Sequence, residues 1–175
     1  IDMFDSNFAF MTSFTDPNIP SGFAPFNVRD INGKLYVTYA KQQQTNKNND
    51  EAGPGNGFLD VFDENGNLLQ RLVSQGSLNS PWGLALAPAN FGQFSDALLV
   101  GNSGDGRINA FDPTTGNSLG QLKDSNGNPI QIDGLWALTF GNGGNAGKTN
   151  ELFFTAGIND KKNGLFGKLE TMTVP

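Results

Sequence analysis

Three aromatic residues hold equivalent places in a recurring phrase. They are Phe26 in Ala24-Pro25-Phe26-Asn27-Val28, Trp82 in Ser80-Pro81-Trp82-Gly83-Leu84 and Trp136 in Gly134-Leu135-Trp136-Ala137-Leu138. Each opens a strand-like run, and the spacings are about 55 residues, near the periods of repeat architectures. Aromatic faces gathered around one opening make a platform for a sugar ring or a small apolar ligand. The same positions serve as wedges between packed repeats, because a repeat places equivalent side chains in an arc whatever its function. Asn27, Asn102 and Asp133 lie beside the aromatic positions. They offer oxygen atoms for a water or a Ca²⁺ ion, or they cap strand ends by bonding to the backbone.

Other chemistry is limited by what the chain lacks. It has no Cys and no His, which excludes thiol catalysis, disulfides, imidazole metal sites and His-based triads. Asp63-Glu64-Asn65-Gly66-Asn67 and Asp124-Ser125-Asn126-Gly127-Asn128 faintly resemble Ca²⁺ loops, but neither has EF-hand spacing, and hairpin turns explain both. Gly101–Gly106 is Gly-rich but precedes a strand, whereas a phosphate cradle needs helix N-terminal amides. Glu151 and Glu170 fall on different strands, and sequence does not say whether they meet. No residue is assigned a catalytic role and no cofactor is expected, Ca²⁺ being the one ion considered. A net charge of −6 with scattered basic residues opposes nucleic-acid or anionic-membrane binding. No apolar run is long enough for a membrane helix.

The elements that must position these residues are strands. Charged residues are only 16% of the chain, Gly numbers 23 and Phe 15, a turn-rich all-β composition rather than that of a helical bundle. A second phrase, apolar-Asp/Asn-apolar-Phe-Asp, recurs at Ile1–Asp5, Leu59–Asp63 and Ile108–Asp112. Short β-branched or aromatic runs bounded by Gly, Asn, Asp and Pro predict strands near 1–5, 8–14, 25–30, 34–40, 57–63, 67–73, 82–87, 96–102, 106–112, 117–122, 135–140, 150–156 and 164–170. Asn32-Gly33, Asn65-Gly66 and Asn126-Gly127 suit tight turns. Almost no helix is expected beyond a 3₁₀ turn near 88–94. Gln42–Gly55 reads as a solvated, partly disordered loop. Asp60 and Asn109 read as structural, with Asp60 a half-buried carboxylate bonded to a neighbouring blade.

These strands group into a single partial β-propeller domain over 1–175: a blade tail at 1–14 and blades at 24–73, 80–122 and 133–170. About three four-stranded blades plus the end strands of a fourth make half of a six-bladed ring. The expected partner is the remaining half of the propeller, upstream or cleaved, or a second copy of the chain. A surface polysaccharide or protein is a further candidate. Ile1 falls inside a strand phrase, so the chain reads as a processed or excised segment.

Ser80–Pro88, Leu98-Leu99-Val100-Gly101-Asn102, Gly106–Asp112, Asp133–Leu138, Gly141-Asn142-Gly143-Gly144, Phe154-Thr155-Ala156-Gly157 and Gly164-Leu165-Phe166-Gly167 together resemble an uncharacterised family of exported bacterial propeller proteins. Some members of that family carry a PEP-CTERM-type sorting tail. The resemblance implies the C-terminal half of a longer chain, bacterial, secreted or at the cell surface, with no assigned activity. A more distant likeness is to six-bladed propellers of the NHL and gluconolactonase type. It implies a divalent-metal site, but Trp82 stands where that family has a ligand Asn, and Asn102 where it has Asp. Indole cannot bind a hard cation, and an amide is a weaker ligand than a carboxylate. The expected function is therefore an exported, non-enzymatic binding or structural module. A divergent metal-dependent hydrolase or lactonase is the alternative.

Overall fold

The computed structural model describes residues 1–171, and the chain is all-β. Among the described residues thirteen strands form four antiparallel sheets. A hairpin pairs β1 (Asp2–Phe4) with β2 (Phe10–Ser13). The first sheet runs in chain order through β3 (Phe23–Ile31), β4 (Lys34–Lys41), β5 (Gly57–Phe62) and β6 (Leu68–Ser74). The second does the same with β7 (Pro81–Leu86), β8 (Leu98–Asn102), β9 (Ile108–Phe111) and β10 (Ser118–Gln121). The third has β11 (Leu135–Phe140), β12 (Glu151–Gly157) and β13 (Asn163–Glu170). Every predicted strand is present. Helical structure is confined to a 3₁₀ turn at Gly92–Phe94 and an irregular turn at Ile158–Lys161, within the described residues. The sheets form an open series rather than a closed ring.

Local chemistry sets the turns. Asn32 (φ 55°) and Gly33 (φ 75°) both sit in the left-handed region, as a two-residue type I′ hairpin between β3 and β4 requires. Asp5, Asp63 and Asp124 share one device: Oδ1 accepts two backbone N–H bonds, from the residues two and four positions on. Asp63 is held below the usual carboxylate range first by the Asn67 side-chain amide and then by Asn67 N–H, and Asp124 first by Asn128 N–H. The two runs that faintly resembled Ca²⁺ loops thus direct this oxygen at their own backbone.

Apolar alternation supplies three cores between successive layers. Ile1 and Phe14 of the hairpin region pack on Val37, Tyr39, Phe58 and Phe62. Tyr36, Leu59 and Val61 of the first sheet meet Leu84, Leu98 and Val100 of the second. Leu99, Ile108 and Ala110 of the second meet Leu135, Leu138, Leu152 and Phe154 of the third. Each fully buried Leu contributes about 1.5–3 kcal/mol relative to exposure. The inner strands β3, β7 and β11 lie together. Asn27 Nδ2 donates to the Trp82 carbonyl at 2.8 Å, and Arg29 Nη1 reaches from β3 to the Leu138 carbonyl at 2.6 Å. A Cβ at Gly83 would stand 2.7 Å from the Trp136 carbonyl oxygen, so the close approach of β7 and β11 needs glycine.

One expectation is corrected by this packing. Asp60 is fully buried, and its bond runs within its own sheet: Arg71, its cross-strand partner on β6, donates Nε to Oδ1 at 3.2 Å. The same guanidinium pairs with buried Asp16, tying the segment before β3 to the first sheet. Gln42–Gly55 is an excursion whose stretch 44–49 is exposed, as a solvated loop should be, and whose base is held by specific pairings. Gln42 bridges to Asp50, Gln43 N–H bonds the Asn49 carbonyl, and Lys41 pairs with Glu51 at 2.7 Å.

Candidate functional site

The three repeat-equivalent aromatics meet in one place. Phe26 on β3, Trp82 on β7 and Trp136 on β11 line a cavity of about 510 Å³, together with Asn48, Asn49, Asp50, Ser103, Thr155 and Lys161. Each aromatic is half-buried. The Phe26 and Trp82 rings meet edge to face, with centroids 4.6 Å apart and planes at 86°. Trp136 rests against Gly157, where an added Cβ would come within 2.6 Å of the indole Cζ2. The backbone at Gly157 is therefore the floor under that ring.

The three polar candidates separate. Asn27 stays beside the aromatics but uses its amide to join β3 to β7, while its Oδ1 accepts from Val28 N–H at 2.9 Å. Asn102 is fully buried. Its Oδ1 accepts from Asn79 N–H at 3.1 Å and its Nδ2 donates to the Ser77 carbonyl at 2.8 Å, so it braces the loop entering β7. Asp133 is exposed on a neighbouring concavity of about 340 Å³ with Ser103–Gly106 and Gln131, where Oδ2 accepts from Asn159 N–H at 3.1 Å. The Gly101–Gly106 loop thus edges that concavity and lends Ser103 to the aromatic cavity.

Sequence reasoning missed part of the site. Asn48, Asn49 and Asp50 come from the loop read as solvated, and Lys161 from an irregular turn that no pattern announced. The excess of Asn and Asp at 46–50 was the available signal. The cavity thus joins flat aromatic surface to amides, hydroxyls and one charge of each sign. Such a lining can stack on a ring and hydrogen-bond its rim.

Carboxylates elsewhere are arranged for structure. Glu151 and Glu170 do meet, as cross-strand partners, and Lys168 Nζ lies between them, 2.8 Å from Glu151 Oε1. That bond, with one from Lys148 N–H, holds Glu151 below its ordinary range, the opposite of what a general acid needs. Asp60, walled off by the first sheet's core, is pushed up to about 7 by burial. Among the described residues no group of three or more Asp and Glu is disposed around a common ion, and no helix is long and apolar enough to cross a membrane.

No protein-family model matches the chain. Its curated relatives are uncharacterised proteins of Acanthamoeba polyphaga mimivirus. One is 37% identical over 97% of this chain and 42% of its own length. A second is 35% identical over 97% of this chain and 46% of the relative. A third is 34% identical over 99% of this chain and 33% of the relative. The chain thus spans less than half the length of the curated relatives it matches. These relatives overturn the resemblance to an exported bacterial propeller family: the similarity points to a viral group of uncharacterised proteins, and a bacterial, secreted origin loses its support.

Proposed function

We propose that the chain is a three-blade arc of a β-propeller that works as a non-enzymatic binding module, its aromatic cavity taking a sugar ring of a surface polysaccharide. One observation carries the reading: Phe26, Trp82 and Trp136, far apart in sequence but equivalent in the repeat, converge on one cavity with Asn48, Asn49, Asp50, Ser103 and Thr155. The in-order sheets and neighbouring inner strands β3, β7 and β11 support the propeller part. Half-buried rings stack on the apolar faces of a pyranose while amides and hydroxyls bond its rim. Asp50 is the one carboxylate lining the cavity, whereas glycoside hydrolysis normally employs two. The metal-dependent hydrolase alternative would need Asn102 as an oxygen ligand, and that carboxamide is already engaged by Asn79 and Ser77.

The chain's two tryptophans both line this cavity, so intrinsic emission reads it without labelling. Titration with a panel of neutral and N-acetylated oligosaccharides is expected to give a saturable change in emission with at least one of them. In Trp136→Ala, Trp82 remains as reporter and the change disappears. An emission spectrum unmoved by the whole panel, or a response that survives Trp136→Ala, rejects the reading.

A further inference from the structure

Sheet-on-sheet packing in this chain reuses one trio of positions. In the first sheet Tyr36 pairs with Val61, and Leu59 lies two residues before Val61. In the second Leu99 pairs with Ala110, and Ile108 lies two residues before it. In the third Phe153 pairs with Lys168, and Phe166 lies two residues before it. The first trio is buried against the second sheet and the second trio against the third. The third trio is open. Phe166 is 70% exposed and stacks flat on Phe153, with ring centroids 5.6 Å apart and planes at 7°. The two rings line a cavity of about 560 Å³ on the sheet's outer face.

The other half of the same interface is exposed at the opposite end. Phe4 and Phe62 hold equal places in the repeated phrase, and Phe62 is buried on the side of the first sheet that faces the hairpin. That is the side by which a sheet receives its predecessor. On the hairpin, Phe4 is 54% exposed and meets Phe10, itself 60% exposed, edge to face at 5.9 Å. Met11 and Phe8 are exposed on the same hairpin. Residues 1–14 carry Asp2 and Asp5 and no Lys or Arg, whereas the face at the far end carries Lys168 already paired with Glu151, so the contact rests on its apolar surface.

We propose that this chain docks head to tail on a second copy of itself, the hairpin face of one copy (Phe4, Phe10) covering the Phe153–Phe166 face of the other. The occupant follows from the repeat: each copy exposes both complementary sides of a contact it already makes internally. Because the contact is heterologous, two of them related by a two-fold axis close a ring of two copies. The ring rests on the propeller reading, and the contact itself does not.

Size-exclusion chromatography with light scattering tests this on the 175-residue chain. The expected mass is twice the 18.7 kDa of one copy. Phe166→Asp and Phe10→Asp, each at a surface position, should separately give monomers with an unchanged circular dichroism spectrum. Mixing the two variants should restore a two-chain species, because one unaltered contact remains between them. A monodisperse wild-type monomer overturns the proposal and leaves the face to another occupant, such as the additional length the relatives carry. An assembly that survives Phe166→Asp, or a mixture that stays monomeric, overturns it as well. Oligosaccharide titration reads a different cavity, so the two proposals fail separately.

Discussion

Replacing Asp60 with Asn should flatten the chain's stability profile across mildly acidic to mildly basic pH. Asp60 is fully buried. Oδ1 accepts from Arg71 Nε at 3.2 Å, and Oδ2 has no hydrogen-bond partner among the described residues. Burial raises the carboxyl from its ordinary 3.8 to about 7, the neighbouring guanidinium notwithstanding. Between those values the folded chain holds a proton that the unfolded chain has released. Stability therefore falls as pH rises through the window and levels off above about 7. The full displacement corresponds to ~4 kcal/mol, of which ~2.5 kcal/mol lies between about pH 5 and about pH 8.

Asn carries no such proton, so the variant lacks this slope, and every other titrating group is common to both proteins. Urea unfolding followed by circular dichroism at a series of pH values gives the two curves. The stability of Asp60→Asn relative to wild type should improve by ~2.5 kcal/mol from about pH 5 to about pH 8. Curves that stay parallel to within about 0.5 kcal/mol would falsify the argument. They would mean that Arg71 keeps the carboxylate ionised and that pairing outweighs desolvation. Tyr39 is pushed up to about 12 by burial and by the Asp60 charge. It titrates outside the window and leaves the comparison clean.

The remaining predictions concern the aromatic cavity and its support. Gly157→Ala places a methyl group 2.6 Å from Trp136 Cζ2, so the indole must move; this should cost about 1–3 kcal/mol in urea unfolding, shift tryptophan emission and weaken any oligosaccharide response. Asn102→Ala leaves Asn79 N–H and the Ser77 carbonyl without their partner and should cost about 2–4 kcal/mol. Under the binding-module reading, added Ca²⁺, Mn²⁺ or Zn²⁺ leaves the wild-type melting temperature unchanged. A cation-induced rise that vanishes in Asn102→Ala would instead favour the hydrolase.

The strands were legible because their determinants are local. Alternating apolar residues and Asn-Gly or Asp-led turns act within a few positions, so β1–β13 could be placed from sequence. The Arg71 bridge between Asp16 and Asp60 was not legible: Asp16 and Arg71 are 55 positions apart, and nothing local marks an Arg on a half-exposed strand as their partner. Asp133 shows the complementary failure. It is three residues from Trp136, but Gly134 intervenes at a φ of 61° and turns the chain, so the carboxylate falls in the adjoining concavity. Polar residues of Gln42–Gly55 implied solvent exposure, which 44–49 show; that the loop, pinned by Lys41–Glu51 and Gln42–Asp50, also brings Asn48 and Asn49 to the cavity was not legible.

Sequence left two roles open for the aromatic trio, wedge or platform, and the geometry makes them compatible. An edge-to-face contact engages the edge of one ring and one face of the other. Phe26 and Trp82, with planes at 86°, lock β3 against β7 and still leave ring surface turned to the cavity, which is why both are only half-buried. Trp136 is wedged against the Gly157 backbone on one side and lines the cavity as well. Packing thus fixes the rings at little further entropic cost on binding, and a rigid aromatic surface is what stacking on a sugar requires. The trio's structural role therefore does not count against a ligand; it supplies the preorganisation that a ligand would use.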